Sequence, residues 1–263
     1  MTNFRRNARR PAIFLIVMRG CAAALLLPCL ARISSGVRPA ENTADRPIVV
    51  FQPSHQSDTG KNFNEAKVCD AIANYALKAN PGRKEYKVWS YNVPGLHHAD
   101  TGTNTKIEHT SAVLDGKLSG YAWEVNKANE LGARFFIGIH NNGGSGRHAI
   151  WGYIHDGDAR EADNRKLSDI LIEEIARATD LENRGTHLDS GTGRNDYRCP
   201  ATGKLAFYSV DENVNKAPYR VLLEIGDNEK SRDFLLDKAN QRSIGMAIER
   251  GLERFMTRSK EPI

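Results

Sequence analysis

Two histidines and two glutamates stand where apolar segments stop. His140 follows the run Phe135–Ile139 and is followed at once by Asn-Asn-Gly-Gly. His55 comes just after IVVFQP, with Ser54 between. Glu224 closes the stretch Val221-Leu222-Leu223, and Glu65 opens a helical segment ten positions after His55. Two imidazoles and one carboxylate are a common catalytic zinc set, because three protein ligands leave a fourth position for water or substrate. A zinc held this way lowers the pKa of a bound water to roughly 7 and polarises a carbonyl oxygen. A second carboxylate can then take the water's proton and pass it to a leaving nitrogen. Glu224 is the candidate for that role, since a charge at the end of so apolar a strand needs a partner or a function. Spacing alone does not select this reading, as two histidines 85 positions apart form no motif.

The elements around these residues predict where they sit. Strand-like segments cover 48–52, 86–91, 134–140, 148–154, 205–210 and 220–225, most of them rich in Val, Ile, Phe and Tyr. Helical periodicity covers 62–78, 118–131, 161–179 and 231–254, with Ser231 as an N-cap candidate. In the first helix the apolar face is Val68, Ile72, Tyr75 and Ala76, so Glu65 can point toward a sheet edge. Strands alternating with helices predict an α/β fold: one domain with an open, twisted, mostly parallel sheet of about six strands and helices on both faces. In such a sheet, ligands gather at the carboxyl ends of strands, where His55, His140 and Glu224 fall. The polar stretches 92–117 and 180–204 read as long loops.

The pI near 9.0 does not indicate a nucleic-acid partner. Residues 1–35 carry six arginines and no acidic residue, and the rest of the chain sets 31 basic against 32 acidic side chains. The basic excess belongs to a leader, with arginines first and then the apolar runs 12–18 and 21–30. Cys29-Leu30-Ala31 provides small residues at −3 and −1 of a cleavage point. The expected organisation is a signal peptide or N-terminal anchor at 1–31, a polar linker at 32–46 and a catalytic domain at 47–258. The protein is then exported to the periplasm or cell exterior, and touches a membrane only through an uncleaved leader. Beyond the leader two cysteines remain, Cys69 and Cys199, and pairing and separate burial are both open readings.

The same residues carry a resemblance to a known family. VVFQPSHQSDTG, NEAKVCDAIANYAL, KANELGARFFIGIHNN, the turn NRG at 183–185, VLLEIGDNEKSRDFL and QRSIGMAIERGLERF resemble, in order over about residues 47–256, the zinc-dependent N-acetylmuramoyl-L-alanine amidases of the type 3 catalytic domain. The resemblance implies one zinc ion held by His55, Glu65 and His140, with Glu224 as catalytic acid and base. It places Asn142 and Arg184 along a substrate groove. It implies hydrolysis of the amide between N-acetylmuramic acid and the L-alanine of the stem peptide in peptidoglycan, which agrees with an export leader. The chain departs from the family after its first histidine, where SHQSDTG replaces a glycine-rich stretch, and at Asp227-Asn228 after the catalytic glutamate. The short span from His140 to Arg184 leaves no room for a large helical insertion that would block the site.

Two other functional classes fit the residues themselves. The same ligand set suits a zinc carboxypeptidase or an acyl-amino-acid amidohydrolase, with Arg184 or Arg194 to grip a carboxylate. A wall-binding domain without catalysis is the third, and the presence of all four polar residues weighs against it. His97, His98 and His109 read as solvated loop histidines, while His148, His155 and His187 receive no role. The sequence names no protein activator.

Overall fold

The computed structural model describes residues 46–57, 59–94, 113–114, 117–118, 120–192 and 197–258. The leader, His97, His98, His109 and Arg194 lie outside the described residues. Eight strands lie among the described residues: β1 (Val49–Pro53), β2 (Glu85–Lys87), β3 (Val113–Leu114), β4 (Lys117–Leu118), β5 (Phe135–Asn142), β6 (Ala149–Ile154), β7 (Glu182–Leu188) and β8 (Tyr219–Asp227). Five α-helices accompany them: α1 (Glu65–Ala79), α2 (Gly120–Glu130), α3 (Glu161–Ala178), α4 (Arg232–Leu236) and α5 (Lys238–Arg258). Six strands form one sheet in the order β2-β1-β5-β8-β6-β7, while β3 and β4 make a separate antiparallel pair. The pairs β1/β2, β1/β5, β5/β8 and β6/β7 are parallel, and β6/β8 is antiparallel. The expected single-domain, mostly parallel α/β sheet is what the chain forms.

The apolar runs explain the sheet's centre. Every residue of β1 is buried, as is every residue of β5 up to Asn141. A parallel strand covered on both faces has no solvent side, so its sequence reads as a continuous apolar run. Alternate residues face two cores. Phe135, Ile137 and Ile139 pack with α1, α3 and α5, while Phe136 packs with α2 and with Tyr197, Cys199 and Tyr208. Helices thus lie on both faces, α2 on one and the other described helices on the opposite one. No helix among the described residues is long and apolar enough to cross a membrane.

Helix α1 begins at Asn64, whose side chain accepts from the Lys67 N–H at 3.0 Å, satisfying one of the first-turn donors. The single helix expected over 231–254 is instead two. Asp237 is extended, and its carboxylate takes the N–H groups of Ala239 and Asn240, which starts α5 afresh. Ser231 precedes α4 but makes no capping bond within it; its hydroxyl accepts from the Asp227 N–H.

Two strand expectations fail. Residues 205–210 form an isolated bridge (Arg198 with Leu205) and a 3-10 turn at Tyr208–Val210. That apolar run packs as a buried loop without a strand beside it, a case periodicity cannot separate from a strand. Residues 182–188, read as loop, form the edge strand β7. An edge strand pairs on one side only and can be polar throughout, so its sequence ENRGTHL shows no alternation.

Helices α1 and α5 approach closely at Gly245, where an added Cβ would lie 2.7 Å from both the Ile72 carbonyl oxygen and the Tyr75 Cβ. Gly245→Ala should destabilise the fold by about 1–3 kcal/mol through overpacking, read as a lower midpoint in urea unfolding. At the sheet's other margin, Arg83 lies 3.3 Å from Glu85 and 2.9 Å from Glu249. Burial first, and then the charge of Glu249, push the Glu85 carboxyl from 4.5 up to about 9, with Arg83 opposing. A carboxyl raised in the folded state holds a proton that the unfolded chain releases. Its stabilising contribution is therefore complete below about pH 4.5 and declines as pH rises through 9. Thermal melts from about pH 5 to 9 should show a falling midpoint in the wild type and a flatter profile in Glu85→Gln.

Candidate active site

The parallel strand ends bring the predicted residues to one edge. The backbone N–H of Ser54 donates to the Ile139 carbonyl at 2.8 Å, extending the β1/β5 pairing by one step. The Tyr121 ring lies 4.3 Å from His55 and 6.1 Å from His140, and the ligand atoms of His55, Glu65 and His140 do not all come within 4.8 Å of one another. The N–H of Ala66 donates to the Gln56 carbonyl at 2.8 Å, pinning the start of α1 to the loop after His55. That contact swings Glu65 inward, to 3.4 Å between its Oε1 and His140 Nδ1. His55, Glu65 and His140 are 1%, 2% and 4% exposed.

Glu124 on α2 was not among the expected residues. It is fully buried, and its Oε1 accepts from the Ser90 N–H (2.9 Å) and the Ser90 hydroxyl (2.7 Å). The same oxygen lies 3.1 Å from His55 Nδ1. Its Oε2 accepts from Gln52 Nε2 at 2.7 Å. These bonds fix both imidazole tautomers, because an ionised carboxylate only accepts. His55 must carry hydrogen on Nδ1, which makes Nε2 its ligand nitrogen. Gln52, with its amide nitrogen on Glu124, turns Oε1 to His140 Nε2 at 3.3 Å. His140 therefore carries hydrogen on Nε2 and aims Nδ1 at Glu65. A second-layer carboxylate that orients a histidine this way is the usual companion of a metal-binding imidazole.

Glu65 is held from its other sides by the Asn141 N–H on Oε1 (3.3 Å) and by Asn228 Nδ2 on Oε2 (3.5 Å). Among the described residues neither Glu65 nor Glu124 pairs with Lys or Arg. Two buried carboxylates facing two imidazoles form a donor set that suits a divalent cation, since buried charges are tolerated when paired or bound to metal.

Glu224 pairs with His140 in the β5/β8 register and with Trp151 in the β6/β8 register. It is the one position of β8 that is not fully buried. Its charge and that of Glu65 add to burial, the largest cause, in pushing the Cys69 thiol well above its usual range. Cys69 thus stays protonated, donating to Asn141 Oδ1 at 3.4 Å. Cys69 and Cys199 are both free and lie in different core clusters.

The two groove candidates separate. Asn142 ends β5 beyond a register shift, and its carbonyl accepts from the Asn228 N–H at 2.9 Å, so it borders the Glu65 side of the site. Arg184 lies on edge strand β7, two strands from β8, and pairs with Glu182 at 2.8 Å. Between β5 and α3 the chain holds β6 and turns, with no helix.

Trp151 is buried, whereas Trp89 is half-buried, stacked on Tyr91 and bonded through Nε1 to the Ser54 carbonyl at 3.0 Å.

A second cluster stands apart. His155, Cys199 and Asp211 bring ligand atoms within 4.8 Å of one another, all buried. Burial would lower the His155 pKa, but its hydrogen bond to Asp189 and the charges of Asp189 and Asp211 raise it from 6.5 to about 9.

Residues 98–254 match the family model described as N-acetylmuramoyl-L-alanine amidase. The match includes His140, Asn142, Arg184 and Glu224; His55 and Glu65 precede it. The catalytic domain of CwlV, an N-acetylmuramoyl-L-alanine amidase from Bacillus (Paenibacillus) polymyxa var. colistinus, is similar in structure, with a TM-score of 0.54 and 19% identity over 80% of this chain and 98% of that one. The N-acetylmuramoyl-L-alanine amidase from Clostridium difficile 630 superposes with a TM-score of 0.56 at 16% identity, covering 82% and 99%. The CwlD amidase from Clostridioides difficile, solved with the GerS lipoprotein, gives 0.52 at 17% identity, covering 81% and 100%. At these identities the likeness is one of fold. No curated protein sequence matches the chain.

Glu124→Leu should keep the volume of the side chain and remove every acceptor that orients His55. Retention of a divalent metal should then weaken by about 10–100-fold, measured by competition with a chelator. Unchanged affinity would remove Glu124 from any orienting role.

Proposed function

The chain belongs to the N-acetylmuramoyl-L-alanine amidase family, and from that premise we propose that it is an exported, zinc-dependent hydrolase of peptidoglycan. The observation that carries the metal is the contact of His140 Nδ1 with Glu65 Oε1 at 3.4 Å. Gln52 directs the ring hydrogen to Nε2, so Nδ1 turns toward a carboxylate oxygen. A cation between this nitrogen and that carboxylate oxygen would satisfy both. His55 Nε2, Glu65 and His140 Nδ1 would hold one zinc ion.

When bound, the zinc supplies a Lewis acid that polarises the scissile carbonyl and acidifies the attacking water. The rest falls to the chain's own residues. Glu224 takes the proton of the attacking water on its carboxylate, then delivers it to the departing L-alanine nitrogen. Its place in register with His140, at the one partly exposed position of β8, supports that role. Glu124 and Gln52 keep both imidazoles in the tautomers that expose a ligand nitrogen. Asn142 lines the rim on the Glu65 side. Arg184, two strands away, can touch only a part of the polymer remote from the scissile amide.

The carboxypeptidase alternative needs a guanidinium beside the metal to grip a free carboxylate. Arg184 is instead engaged by Glu182 on the edge strand, which favours an internal amide as substrate.

Glu224→Gln should lower the release of stem peptides from purified sacculi by at least about 100-fold, the usual weight of a general acid–base group, while zinc content stays at the wild-type level. Mass spectrometry of the products should show peptides with a free L-alanine amine. Release at the wild-type rate would take Glu224 out of the mechanism.

A further inference from the structure

Strand β6 runs against β8, so its carboxyl end lies at the sheet edge opposite to His140 and Glu224. His155 stands at that end, against the excursion formed by residues 197–217. The excursion contributes Cys199 and Asp211, and the three side chains are 2%, 0% and 0% exposed. His155 Nε2 is 3.6 Å from Asp211 Oδ1, longer than a hydrogen bond and suited to two ligands of one ion, each about 2 Å from it. The opposite ring nitrogen, Nδ1, is 3.0 Å from Asp189 Oδ2. Asp189 is itself fixed by the Asp156 N–H at 2.9 Å and the Phe207 N–H at 3.0 Å. A carboxylate on one nitrogen thus turns the other toward the thiol and the second carboxylate.

We propose that His155, Cys199 and Asp211 form a second, structural metal site for a thiophilic divalent cation of the zinc type. The donor set decides the class. Thiolate, imidazole and carboxylate together favour zinc over magnesium or calcium, which take oxygen ligands. Full burial decides the role, since a structural site is closed whereas a catalytic one keeps a position open to water.

The surrounding bonds complete the site. Asp211 Oδ2 accepts from the Tyr197 hydroxyl at 2.8 Å and Oδ1 from the Asn213 N–H at 2.8 Å, so the carboxylate is held before any ion arrives. Asn213 Nδ2 lies 2.7 Å from Asp211 Oδ1 and 3.3 Å from Cys199 Sγ. Turned over, that amide offers its oxygen as a fourth ligand. Charge is conserved on binding: one dication enters, and one proton leaves His155 Nε2 and another leaves Cys199 Sγ. The ion would staple the 197–217 excursion to the end of β6. The excursion in turn packs Tyr197, Cys199 and Tyr208 under α2, the helix that carries Glu124.

The test uses the full chain with Cys21, Cys29 and Cys69 changed to serine, leaving Cys199 as the one thiol. Loaded with zinc and dialysed, this chain should retain two ions per molecule, falling to one in Cys199→Ser and to one in His140→Ala. Loaded with cobalt, it should show a near-ultraviolet thiolate-to-cobalt charge-transfer band. The band should persist in His140→Ala and vanish in Cys199→Ser and in Asp211→Ala. The cobalt band in the parent chain does not depend on any variant at the cluster folding. Its absence, or zinc stoichiometry unchanged by Cys199→Ser, would overturn the second site. Loss of zinc in Cys199→Ser with none lost in His140→Ala would instead leave the second site standing and overturn the assignment at His140.

Discussion

A carboxylate removed from water costs several kcal/mol unless its lone pairs are satisfied, and Glu124 has no solvent exposure at all. Four donors converge on it, from Ser90, Gln52 and His55. Those donors arrive from β1, from the segment just after it and from the loop after β2, so the burial of one side chain fixes the relative placement of three parts of the chain. Moving any of them would strand the charge. The rigidity this imposes extends to His140, because the Gln52 amide is shared between Glu124 and the second imidazole.

The sheet supplies the other half of the arrangement. Parallel pairing of β1, β5 and β8 delivers His55, His140 and Glu224 to one edge without any local sequence relation among them. Glu65 comes from a helix start, placed by its N-cap Asn64 and by the Ala66 bond to Gln56. The opposite edge is shaped by β6 and β7, which run the other way. There the chain places a different polar set, with a thiol in it, well away from the strand ends that carry the amidase residues.

Much of this was legible in the sequence, and the misses have specific causes. The buried strands β1, β5 and β8 announce themselves as apolar runs, and the proposed site residues lie at or just past their ends. Glu124 was invisible because YAWEVNKANEL reads as an ordinary amphipathic helix, in which a glutamate defaults to the solvent side. Only its contact with residues more than thirty positions away reveals it as buried. The edge strand β7 lacked any apolar pattern, and the run LAFYSV had a strand's composition with no partner strand. His155 framed a strand in plain view, but its relation to Cys199 and Asp211 depends on how residues 197–217 fold back.

The central claim is that a cation belongs between Glu65, His55 and His140. Anomalous diffraction collected above and below the zinc absorption edge, from crystals grown with zinc and then washed free of it, addresses that directly. The account predicts an edge-dependent peak bonded to His55 Nε2, a Glu65 carboxylate oxygen and His140 Nδ1, with Glu224 outside the coordination sphere. A site with no such peak, in which an imidazolium of His140 closes directly on Glu65, would contradict it.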